Sequence, residues 1–246
     1  MRRIAILRKI TVSWQIVFVT ILLVYFQASA SSFSGWYHGA TGYERAYREA
    51  LAEEKPLLLY FHTEWCKWSK KMDREYIDSY EVSHFLSGVP KAEINPDEGI
   101  REETITKKHG VTGYPKFLVI VPSYGTAAKS LYPFRKGGDW TVSEFVDRIK
   151  TSIADAYNNK GHSHLNSGSY EKAVDCFQKT LSWDPENSYA YYGTGHCYYQ
   201  IGYRNRDIEL LREANTNYEK ALEQNPDDAG ARRELAQLEK LLKSVQ

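Results

Sequence analysis

Cys66, in the run Trp65-Cys66-Lys67-Trp68-Ser69, is the residue with most chemistry to offer. A cysteine reacts as its thiolate, which attacks a disulfide sulfur. The stretch from Cys66 to Ile77 reads as a helix, with Trp68, Met72 and Ile77 available for packing. The free N–H groups at its start, and Lys67, Lys70 and Lys71, favour an anion there. Ser69 stands three residues on, and its hydroxyl forms no disulfide. Release of a mixed disulfide at Cys66 therefore needs the substrate's other thiol or a small thiol such as glutathione. For the remaining cysteines, Cys176 and Cys197, a mutual disulfide and burial as free thiols both stay open. His62 reads as a partly buried strand residue and His109 as a helix end. Neither has a partner at metal-ligand spacing, so no metal site and no cofactor are expected.

The elements that must position Cys66 follow from the apolar pattern. Residues 43–54 read as a helix stopped by Pro56, and Leu57 to Phe61 as a buried strand. Val89 to Ile94 is a second strand, and Asp97 to His109 a helix with Asn95 or Asp97 as its cap. Phe117 to Val121 is a third strand. A turn around Ser123-Tyr124-Gly125 leads to a fourth, roughly Ser130 to Phe134, and then to a last helix. The plan is α/β, a mixed central sheet flanked by helices.

Tyr60-Phe61-His62-Thr63-Glu64-Trp65-Cys66 followed by a helix resembles the active-site strand and turn of the thioredoxins. About fifty residues on, Gly110-Val111-Thr112-Gly113-Tyr114-Pro115-Lys116-Phe117-Leu118 is similar to that family's cis-proline segment. The resemblance bounds a thioredoxin-like domain at 40–152. It implies a cis Tyr114–Pro115 bond, catalytic roles at Cys66, Ser69 and Pro115, and a substrate groove at Trp65, Trp68 and Tyr114. Two positions depart from the pattern. Ser69 replaces the second cysteine, and Tyr60 stands where thioredoxins carry a buried acid, six residues before the first. A self-resolving dithiol enzyme is thereby disfavoured. Monothiol exchange or isomerisation, a binding or chaperone role for the groove, and an inherited fold with an idle cysteine all remain.

After residue 153 a repeat appears. Tyr157, Gly161, Ala173, Phe177 and Pro185 fit the tetratricopeptide pattern of about 34 residues. Tyr191, Gly195, Tyr198, Ala214, Tyr218, Ala221 and Pro226 form a second unit. The two prolines are 41 residues apart, so about seven residues are inserted, within Gly202 to Ala214. They read as about two extra turns on the unit's second helix. The units span 153–187 and 188–228, with a capping helix at 229–244, making this half an all-α repeat domain. Unbroken spacing from Val142 to Gly161 predicts that the last helix of the first domain runs on into the first repeat. By the tetratricopeptide resemblance, Asn158, His162, Tyr189, Tyr192, His196 and Tyr199 line a concave groove for a protein or peptide partner. The competing reading packs these tyrosines on one another.

The N-terminal segment sets the compartment. Arg2, Arg3, Arg8 and Lys9 precede an apolar run from Ile10 to Phe26, and Ala28-Ser29-Ala30 resembles a cleavage site. Residues 1–30 are read as a cleaved signal or as an N-terminal membrane anchor, a tether at 10–26. Either places the remainder in a periplasm or cell envelope. The formal charge of +1 less these four cations leaves a mildly acidic remainder, so nucleic acid is not an expected partner. The function expected is monothiol exchange or isomerisation on clients recruited by the repeats. The alternative is a non-catalytic envelope adaptor or chaperone.

Overall fold

The computed structural model describes residues 33–122 and 129–244. The segment 1–30 and the turn at 123–125 lie outside the described residues. Among the described residues, no helix is long and apolar enough to cross a membrane.

The first half is built on a mixed sheet of order β1-β3-β2-β4-β5. Its strands are β1 (Tyr37–His38), β2 (Leu57–Phe61), β3 (Lys91–Ile94), β4 (Lys116–Ile120) and β5 (Lys129–Leu131). Central β2 runs parallel to β3 and antiparallel to β4, with Tyr60 opposite Glu93 on one side and Phe117 on the other. All five of its side chains are buried, as its unbroken apolar run requires. Helix α1 (Gly39–Ala52) lays Tyr43, Ala46 and Ala50 on the sheet. It starts four residues before the sequence pattern suggests. Its N-terminal Ala40 N–H is capped by Glu102 Oε1 at 2.7 Å, a partner brought from a distant helix.

Helix α2 (Lys67–Met72) begins just after Cys66 and passes into a π-helical turn at Asp73–Ile77. Short helix α3 (Tyr80–Phe85), capped by the Ser79 hydroxyl, is absent from the sequence reading. The predicted helix at 97–109 is divided. Asn95 caps a 3-10 turn at Pro96–Glu98, and α4 spans Ile100–Lys108. The fourth strand ends at Leu131, three residues short of the expected Phe134.

Helix α5 (Val142–Asn166) is continuous over 25 residues and opens with a capping box between Thr141 and Glu144. Its first turns press Phe145 edge-on against Phe117 and Tyr76 of the sheet half. Its last turns belong to the helical half, with α6 (Tyr170–Trp183), α7 (Ser188–Asn205), α8 (Ile208–Gln224) and α9 (Ala229–Ser244). Further ties join the halves. Tyr157 Oη donates to the Glu54 carbonyl at 2.9 Å, Lys179 pairs with the Glu54 carboxylate, and Phe85 meets Trp183.

The helical half packs by glycine against ring. A Cβ on Gly161 would lie 2.6 Å from the Phe177 ring and one on Gly193 2.4 Å from it. Only glycine admits that ring from both sides. The insertion is shared between two helices, and the expectation of two extra turns on the second is corrected. Helix α7 has 18 residues and α8 17, against 14 in α6. Arg206, at φ 57°, ends α7, and Asp207 caps α8 through Glu209 and Leu210 N–H.

Candidate functional site

The site stands where β2 ends and α2 begins. Cys66 is the N-cap residue of α2 and is 8% exposed. Its Sγ donates to the Tyr114 carbonyl at 3.4 Å, a contact that needs the sulfur protonated. The Tyr114–Pro115 bond is cis, and Pro115 is buried. Ser69 is 0% exposed, and its Oγ accepts from Thr63 N at 3.4 Å. The structure thus brings Cys66 beside Tyr114 of the proline segment and holds Ser69 beneath the turn.

Aromatic rings flank the cysteine turn. Trp65 is 71% exposed, yet its indole N–H donates to Asp97 Oδ2 at 2.8 Å and its ring meets Tyr114 edge-on. Trp68 lies on Phe134 with centroids 5.1 Å apart, and the Lys71 ammonium approaches both rings. The result is an exposed aromatic shelf fixed by polar anchors, suited to an extended peptide.

Beneath the shelf lies a carboxylate that the sequence reading missed. Tyr60 takes the position of the absent acid, but its hydroxyl donates to Asp73 Oδ1 at 2.6 Å and also reaches the Ser69 carbonyl. Asp73 is the first residue of the π-helical turn. Burial raises its pKa above the usual carboxylate range, against the Tyr60 hydrogen bond. Burial also pushes the Tyr60 phenol well up, which keeps it a donor. A carboxylate thus reaches this position from another element, through the Tyr60 hydroxyl. A carboxylate seven residues after the cysteine was the only available signal, and the π-helical turn has no local signature.

A second polar group crosses the sheet. His62 stacks on Tyr60 and bonds Glu93 Oε2 at 2.5 Å, while His38 bonds Oε1 at 2.8 Å. Burial pushes the Glu93 carboxyl up, but the two histidines outweigh it and hold it below its ordinary value. No cluster of metal-ligating side chains occurs among the described residues.

With this geometry in place, two family models match the chain. A thioredoxin-like model covers residues 35–122 and a tetratricopeptide-repeat model covers 154–187. The chain joins a thioredoxin-like domain to tetratricopeptide repeats. Over 122 residues it is 26% identical to the disulfide bond reductase DsbH of Chlamydia pneumoniae, covering 45% of this chain and 70% of that protein. The C-terminal domain of Neisseria meningitidis DsbD in its oxidised form is 21% identical, with 48% of this chain and 99% of that one covered at a TM-score of 0.40. The Arabidopsis OM64 tetratricopeptide domain is 19% identical, with 40% and 76% covered at 0.32.

The repeat residues fall into two groups. Tyr192 packs on Tyr218 and His196, and Tyr199 stacks on Tyr203, so within the groove set only Tyr192 and His196 meet. His162 meets Phe177 edge-on, and Asn158 is half-buried with a sealed Oδ1. Tyr189 stands 61% exposed. Cys176 and Cys197 form no disulfide and are 1% and 0% exposed, and burial pushes Cys197 up to about 12.

Proposed function

We propose that this chain carries out monothiol thiol–disulfide exchange through Cys66 on protein clients held by its repeats, outside the cytoplasm. The observation that carries this reading is the setting of the three sulfurs. Cys66, the least buried of the three at 8%, sits in the turn that carries the exposed Trp65 and Trp68, while Cys176 and Cys197 are 1% and 0% exposed in the helical half. The name of the Chlamydia relative, a disulfide bond reductase, supports the same chemistry. The basic, apolar, small-residue order of the N-terminal segment supports an extracytoplasmic site.

In the reaction, Cys66 loses its proton to solvent and its thiolate attacks one sulfur of a client disulfide. A mixed disulfide forms, and the client's other sulfur leaves as thiolate and takes up a proton. With no thiol at Ser69, two exits exist. A client thiolate attacks the mixed disulfide, giving an isomerised client with no net redox change. Alternatively, a small thiol attacks it and is left as a disulfide with Cys66. A second small thiol then frees Cys66, so two small thiols are oxidised for each client disulfide reduced. Pro115, Tyr114, Trp65 and Trp68 hold the client segment against the sulfur.

The second reading, a non-catalytic adaptor, draws on the burial of Ser69 and the slight exposure of Cys66. Trapping separates the two. In envelope extract, the wild type should form disulfide-linked adducts, visible on non-reducing gels, that Cys66→Ala abolishes and Cys176→Ser/Cys197→Ser retains. Partners held equally by Cys66→Ala and insensitive to reductant would leave the adaptor reading standing.

A further inference from the structure

The extra length of the second helix pair does more than lengthen two helices. Between the end of α7, the start of α8 and the last turns of α9 lies a cleft of about 590 Å³. Its walls include Tyr203, Ile208, Leu211 and Leu241, with the exposed Arg204 and Arg206 at its edge. All of these but Leu241 fall within Gly202 to Ala214, the stretch that breaks the repeat length. The cleft thus exists because of the insertion. It lies at the α7–α8 turn, and none of the groove residues predicted by the tetratricopeptide resemblance lines it.

The charged side chains that line this cleft, Arg204 and Arg206, are both cationic. Among the described residues, no carboxylate lines it. Neighbouring Asp207 is occupied in capping α8, and Glu209 is paired with Arg212 at 2.9 Å. Arg206 has no carboxylate partner among the described residues. Arg204 has only Glu171 at 3.6 Å, with both side chains more than 60% exposed. Such surface pairs contribute little and exchange readily for another carboxylate. Guanidinium groups match carboxylates in bidentate geometry, and tyrosine and arginine are both enriched at binding hot spots. Tyr203 and Ile208 stay 61% and 41% exposed at the mouth.

We infer that this cleft is a second docking site, which seats an apolar side chain of an acidic peptide segment while flanking carboxylates pair with Arg204 and Arg206. The site is independent of the chemistry at Cys66.

Fluorescence anisotropy on the full chain tests it, with a fluorescein-labelled peptide Gly-Asp-Glu-Phe-Asp-Glu-Gly as probe. Binding should weaken with added salt. It should fall about tenfold or more, about 1.4 kcal/mol, in Arg204→Glu/Arg206→Glu and when serine replaces the peptide's phenylalanine. Ile208→Asp should weaken it similarly, at a helix start where aspartate is tolerated, with an unchanged circular dichroism spectrum. The lysine counterpart, Gly-Lys-Lys-Phe-Lys-Lys-Gly, should not bind. No binding of the acidic probe, equal binding of both peptides, or unchanged affinity in the double arginine variant would overturn the inference. So would affinity confined to phosphatidylglycerol vesicles, which would mark the cleft as a lipid site.

Discussion

In the sheet half, Glu93 is bonded by two histidines and Asp73 receives the Tyr60 hydroxyl. In the helical half, Asn158 Oδ1, His196 Nδ1 and the Tyr218 hydroxyl are sealed with no hydrogen-bond partner among the described residues. What holds that half is shape, a Phe177 ring between two glycines and a Tyr218 ring 2.9 Å from where a Gly195 Cβ would stand. The sheet half is specified by polar pairing beneath the cysteine turn. The helical half is specified by volume, as expected of an array whose repeats must stack closely. Thr63 Oγ1, buried without a partner beside the cysteine turn, is the exception in the sheet half.

The contrast breaks most sharply at Phe177. Phe177→Ala leaves a cavity between Gly161 and Gly193, and should cost about 3–5 kcal/mol in urea denaturation followed by circular dichroism. A cost below about 1 kcal/mol would mean that the array is not held by that ring. The next test exchanges polar atoms between the halves. Glu93→Gln removes the charge that both histidines bond and should cost about 1–3 kcal/mol. Asn158→Leu, at an atom with no partner to lose, should stay within about 0.5 kcal/mol of wild type. Equal losses at the two positions would erase the distinction.

The smallest effect is one of pH. Burial pushes His109 and His162 below the ordinary histidine value, one in each half. A group whose pKa is depressed on folding adds stability above its unfolded pKa and loses it as pH falls through that range. The melting temperature should therefore drop between pH 7.5 and 5, and His162→Phe should flatten the drop. A profile that rises toward pH 5 would contradict the sign. Glu93, also depressed, adds a further loss only at more acid pH.

Features carried by a single segment were legible in the sequence. Cys66, Ser69 and Pro115 lie in two short motifs, and α5 shows as unbroken spacing through the domain boundary. Partnerships made across the fold were not legible. Glu93 reaches His62 because β3 pairs with β2 in one register, and Asp73 reaches Tyr60 from a π-helical turn. Glu102 caps α1 from 62 residues away. The insertion was visible as a count, but its division between α7 and α8 depends on the left-handed Arg206, where no glycine marks the break.

Helix α5 has a consequence for whatever the chain handles. Twenty-five helical residues span about 37 Å, and Glu54 clamps the middle of this span through Tyr157 and, by way of α6, Lys179. Bending it would break its own hydrogen-bond ladder. The molecule is in effect a ruler, with a thiol set against one portion and a docking array against the other. If Cys66 reacts with what the repeats hold, the client's own chain must bridge the fixed gap. Selection then acts on the number of residues between a client's docking segment and its disulfide, and a client too short in that interval is gripped without being reached.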